Sequence, residues 1–168
     1  MIDTVAELGL WPLTHPHLPS MVAHIAGGPV RGSWWGHPRG REIFNAASAL
    51  GEHPDCAVLP LIDGRQTFVH RRLFPDVAAV GLSLGPAPPG DGRALAKGLW
   101  VVSEEVHGAR GHHERVLSSW QEWCARRGVT PAPDASAARA RLEAVARRLG
   151  PCRLPWTLHP LPSPPPPP

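Results

Sequence analysis

A chain of 168 residues is long enough for one domain with a real hydrophobic core. A hydrophobic content of 42% with seven tryptophans excludes a disordered body, and a net charge of +3 is too small to argue for nucleic acid by itself. No apolar run approaches the roughly 20 residues of a membrane span, and three cysteines without a C-x-x-C pair suit reduced thiols better than a disulfide framework and cannot build a thiolate zinc site alone.

The first ten residues, MIDTVAELGL, carry Asp3 and Glu7 and no basic leader region, so a cytoplasmic protein with reduced thiols is expected. Residues 4–10 read as a short helix stopped by Trp11-Pro12. A second covers 19–26, with Pro19 early and Gly27-Gly28 at its end. The stretch RGSWWGHPRGREIFNAASAL (31–50) then organises the chain. Pro38 suits a first helical turn, and Ile43, Ala47 and Leu50 recur at helical spacing, predicting a helix over about 38–50 with Gly51 as its cap. Trp34, Trp35 and His37 lie on a Gly-bounded loop before it. Free N–H groups and the helix dipole favour an anion there, and Arg39 and Arg41 add to that field.

DCAVLPLIDGRQTFVHRR follows, with Asp63-Gly64 between two apolar runs, a strong hairpin signal. A two-residue turn sets Ile62 against Arg65, Leu59 against Phe68 and Ala57 against His70. That register puts His70 on an apolar face with Phe68, Leu59 and Leu61. Pro60 confines its strand to an edge. Residues 75–82 read as a helix, and SLGPAPPGDG (83–92) as a linker between residues 1–82 and a helical subdomain over 93–154. Three helices are expected in that subdomain. One starts near Asp91 with Leu95, Leu99, Val102 and Val106 on one face. One runs from about Glu114 to Arg127 with Val116, Trp120 and Trp123 inward. One has Asp134 as cap, Ala138, Leu142, Val145 and Leu149 as stripe, and Gly150-Pro151 as stop. Residues 155–168 are a proline-rich tail of polyproline II character.

The expected fold is therefore α+β, a mostly helical single domain with one antiparallel β-hairpin. Helix, helix, helix, hairpin is also the order of a winged helix, with 38–50 in the recognition position and Arg65 at the wing tip. That helix is short of side chains able to read base edges. A hairpin simply packed on helices is the plainer alternative.

SWWGHPRG, DGRQTFVHRRLFP and VHGARGHHERVLSSW together resemble a group of small uncharacterised bacterial proteins. These carry W-W-x-H-P-x-G, T-F-V-H-R and V-H-x-x-x-G-x-H motifs. The matching positions are Trp34, Trp35, His37, Pro38, Gly40, Phe68, His70, Arg71, His107, Gly111 and His113. The resemblance covers roughly residues 30–128 and the Leu154-Pro155-Trp156 end, and it implies a family without implying a reaction. This chain departs from the pattern at Gly108-Ala109-Arg110, where the group carries a polar, acid-containing triplet.

Two functional classes follow. In the first, a nucleic-acid-associated protein holds DNA or RNA phosphates through Arg39, Arg41, Arg65, Arg71 and Arg72, with Trp34 or Trp35 stacked on a base. In the second, a hydrolase or transferase uses His37, His70 and His113 on a small anionic ligand, with or without a metal. A partner-binding domain without catalysis is a third. The histidine spacing matches no compact metal motif, so no metal ligand and no cofactor is assigned. No Walker loop, G-x-G-x-x-G or G-x-S-x-G elbow is present. One of the two tryptophans is expected to anchor in the core.

Overall fold

The structure is a computed structural model that describes residues 1–107 and 113–158, backbone alone at 105–107, 113, 114 and 158. Helix α1 (Ile2–Leu8) leads into strand β1 (Leu10–Pro12), and α2 (Met21–Ala26) and α3 (Gly40–Glu52) precede the hairpin β2 (Cys56–Ile62) and β3 (Arg65–His70). Then come α4 (Phe74–Ser83), α5 (Gly92–Lys97), a second hairpin β4 (Val102–His107) and β5 (His113–Ser118), and helices α6 (Trp120–Arg127), α7 (Ala135–Leu149) and α8 (Pro155–Leu158). The α+β class stands, with more strand than the sequence alone suggested.

β1, β3 and β2 form an antiparallel sheet in that order, β3 at its centre. Side chains alternate across it with period two. Trp11, Phe68 and Cys56 face a core completed by Val5, Met21, Val22, Ile25, Ile43 and Leu50 from the first three helices. Leu10, Leu59 and Val69 face the larger core, built with Val77, Trp120, Trp123 and Leu142 from α4, α6 and α7. The sheet is thus filling between two helical layers, encoded before and after it. Of the Pro/Gly stretch 83–92 read as a linker, residues 84–91 join two elements of the same core, because Val77 and Val80 before them pack with Leu99, Trp120 and Leu142 after them.

Asp63 and Gly64 make the predicted turn with φ of 50° and 66°, the left-handed pair of a type I′ hairpin. The register beyond it differs from the simple one. A bulge between Pro60 and Ile62 moves the pairing by one, so Val58 opposes Phe68 and Cys56 opposes His70. Thr67 holds the bulge: its hydroxyl accepts from Ile62 N at 3.2 Å and donates to Arg65 O at 3.0 Å. His70 consequently neighbours Cys56, Phe68 and Val58, not Leu59 and Leu61. Pro60 does lie in an edge strand.

Two of the three expected C-terminal helices were read with the wrong period. The one from Asp91 stops at Lys97, because Gly98 and then Leu99, at φ 61°, turn the chain into β4. The one from Glu114 is strand to Ser118, and helix begins only after Ser119, whose hydroxyl and Glu122 form a reciprocal capping box. Helix α7 matches its prediction: Asp134 Oδ1 accepts from Ser136 and Ala137, and Ala138, Leu142, Val145 and Leu149 are buried. Among the described residues, no helix is long and apolar enough to cross a membrane.

Candidate functional site

The tryptophan loop closes onto α3 in a single 3-10 turn over Trp34–Gly36, begun by Ser33, whose hydroxyl accepts from Trp35 N at 3.4 Å. His37 N donates to Trp34 O and Gly40 N to His37 O, which presses the loop against the helix start. Gly40 is needed for that contact. A Cβ there would stand 3.1 Å from the carbonyl oxygens of both tryptophans, tighter than backbone tolerates without shifting.

The turn places the two indoles face to face, with centroids 4.2 Å apart and planes 22° off parallel. Trp34 packs half-buried against the smaller core, while Trp35 is 65% exposed. One anchors and the other is presented. Phe44, 37% exposed on the outer face of α3, stands 5.6 Å from Trp35 and widens the platform. Phe44 was legible as a candidate, because it falls off the Ile43, Ala47, Leu50 stripe and so had to face outward. Arg31 was missed too, and it is exposed on the approach to the loop.

The anion site expected at the start of α3 is already filled. Pro38 lies before the helix, Arg39 is its N-cap, and Glu42 occupies the first turn. Arg39 Nε donates to Glu42 at 2.7 Å, and its guanidinium also donates to the Glu42 carboxylate and to Ile25 O. These hydrogen bonds hold the Glu42 carboxyl below its usual range. Arg39 therefore ties the loop to α2 and is not a free phosphate ligand. Arg41 is exposed beside it.

His37 and His70 do not meet. His37 precedes α3, its Nδ1 accepting from Arg39 N at 3.2 Å. His70 faces Cys56, beyond the helix's other end. Thirteen residues of helix put about 20 Å between those ends, too far for one small ligand. His70 belongs to a different cluster. Its Nδ1 accepts weakly from Arg72 N at 3.4 Å, and its backbone N–H donates to Gly9 O. Burial, then the charges of Arg72, Arg71 and His53, push its imidazole down against the pull of Asp55. Arg71 pairs with Asp55 at 2.9 Å, and Arg72 donates to Glu7 O at 3.0 Å, so both arginines are engaged within the fold. Arg65 is exposed just past the hairpin turn. His107 and His113 oppose each other across β4 and β5, and their side chains lie outside the described ones, as does Gly111 altogether.

Among the described residues, no group of three or more His, Cys, Asp or Glu side chains is placed to hold a metal ion. Nor do the cysteines offer a nucleophile. Burial pushes the Cys56 thiol up to about 12 and raises Cys124 and Cys152 as well. Residues 1–72 carry six arginines against six carboxylates, so the half that bears the platform has no net charge. No family model matches the chain, and neither a curated protein nor a solved structure was found to be similar to it.

Proposed function

We propose that this chain is a nucleic-acid-binding protein that captures an unstacked base of DNA or RNA on the Trp35 platform. The observation that carries the reading is the geometry of three rings: Trp34 buried enough to fix the stack, Trp35 presented on it, and Phe44 beside it. A large aromatic face held open to water by a half-buried partner is how proteins stack bases without reading their edges. The element order over residues 2–70 supports the same reading. Helix, strand, two helices and a hairpin whose second strand returns to β1 is the order of a winged helix, with α3 in the recognition position. Arg31 and Arg41 flank the platform and supply phosphate contacts; Arg39, Arg71 and Arg72 are occupied elsewhere. The wing tip is tied back to the rest of the chain through Asp63, which is bonded to Arg153 and His15, while Arg65 beside it stays exposed.

The hydrolase reading draws no support from this geometry, since it needs His37 and His70 in one pocket. Binding is tested by anisotropy of a labelled single-stranded oligonucleotide at about 20 mM salt, where screening is weakest. Trp35→Ala should weaken binding about ten- to hundredfold, the loss expected for one stacked base. With two phosphate contacts the log–log salt slope should be shallow, about −1.4 for a single strand. An oligonucleotide that the wild-type chain does not bind at that salt, or binds equally after Trp35→Ala, refutes the proposal.

A further inference from the structure

An apolar groove of about 520 Å³ runs between the end of α4 and the β5–α6 junction. Leu82 and Pro86 form one wall, Trp100 and Leu117 the other, and Trp120 lies across Gly81 beneath them. Among the described residues, no charged one lines it. Leu117 is 45% exposed, an apolar side chain left without cover. The indole N–H groups of Trp120, Trp123 and Trp156 are each bonded, to Leu99 O, Glu104 and Glu143. That of Trp100 has no partner among the described residues. The groove therefore offers flat apolar walls and no ion pair among the described residues.

That chemistry fits a polyproline II segment, whose proline rings pack into apolar, aromatic-lined slots. The chain carries such a segment. Residues 160–168 are PLPSPPPPP, uncharged like the groove. Their origin is close by. Trp156 of α8 is held to Glu143 of α7 at 2.8 Å, and one turn back along α7 Arg139 donates to Ser83 Oγ at 3.1 Å. Ser83 adjoins Leu82 in the groove wall. From α8 to the groove is thus one helical turn, about 5.4 Å, plus two side-chain bridges. Ten residues of polyproline II starting at His159 reach about 31 Å. We propose that the chain's own proline-rich segment, residues 160–168, docks in this groove.

The test uses the full chain with a nitroxide at Ser163→Cys and with Cys152→Ser, leaving only the buried native thiols unlabelled. The amide signals of Leu117–Gln121 and the Trp100 indole signal should lose at least half their intensity, while those of Gly27 and Gly28 should not. The loss should be unchanged on dilution and should disappear in Leu117→Asp, a change at an exposed position that leaves the core alone. Trp100→Ala should also release the segment. Full intensity at the groove in the labelled wild-type background overturns the proposal. So does broadening that fades on dilution, which would assign the groove to another copy's segment.

Discussion

Gly81→Ala is the sharpest perturbation of the packing that underlies the groove. In a helix interior the change is ordinarily favourable by about 0.5–1 kcal/mol. At Gly81 the new Cβ would stand 2.5 Å from Trp120 Cδ1, and nearer still to Nε1 and Cε2, where carbon contacts are comfortable at about 3.5–4.0 Å. Trp120 cannot simply retreat. It is 2% exposed, packs edge-on to Trp123 at 5.5 Å, and donates to Leu99 O at 2.6 Å. Overpacking of this kind costs about 1–3 kcal/mol, and a broken buried hydrogen bond about 1–3 more. Less the helical gain, the net loss centres on about 3 kcal/mol, a fall in Tm of roughly 6–12 °C for a chain of this size. Gly51→Ala in α3 is the control. Its Cβ would meet only Val58 Cγ2 at 3.8 Å, so it should stabilise by about 0.5–1 kcal/mol. Thermal and urea unfolding followed by circular dichroism measures both. If Gly81→Ala is as stable as wild type, Trp120 does not lie across α4 and the reasoning fails.

Three further outcomes are expected. Trp35→Ala should leave Tm within about 2 °C of wild type, since an exposed substitution rarely exceeds ~0.5 kcal/mol; a larger drop would mean that the platform is structural. Asp63→Ala loses the bonds to Arg153 N and His15 and places a Cβ residue without a turn-forming side chain at φ 50°, and it should cost about 2–4 kcal/mol. Asp63→Asn, which tolerates that φ and still accepts from Arg153, should cost much less, and equal losses in urea titrations would contradict this account of the turn. His70 is held below its ordinary range by burial and then by Arg72, so on acidification the unfolded chain takes up the proton first. Its contribution is full above about pH 6.5 and falls as the pH drops through that value. His70→Asn should flatten the decline in Tm between about pH 7.5 and 5.5, and an unaltered decline would remove His70 from the cause.

What could be read in the sequence was whatever a short window encodes completely. Helix α7 carries its cap, stripe and stop within seventeen consecutive residues, and the Asp63-Gly64 turn needs only its own two. The bulge was not legible, because it depends on Thr67 reaching Ile62 across the hairpin, and nothing marks a threonine for that task. The β4–β5 hairpin was obscured by valines and leucines that satisfy a helical stripe as readily as an alternating one. Yet the Ser119–Glu122 capping box was in plain view and dated the start of α6. At the site, one tryptophan was expected in the core, whereas Trp34 only leans on it half-buried, and the convergence of His37 and His70 was not sound. The predicted helix between them was long enough to hold them apart, and with His70 set opposite the start of the next strand, a shared ligand was out of reach.

The sheet's two faces depend on opposite ends of the chain, and this has a consequence in time. When β3 leaves the ribosome at His70, the helices for one face already exist, while α7 ends only at Leu149. At about 5–20 residues per second the intervening 79 residues take roughly 4–16 s to appear. For most of that interval Leu10, Leu59 and Val69 have α4 over them but lack α6 and α7, so their layer is incomplete. A ribosome stalled between these points would present a nascent sheet with one greasy side, which is a substrate for chaperones and a seed for aggregation.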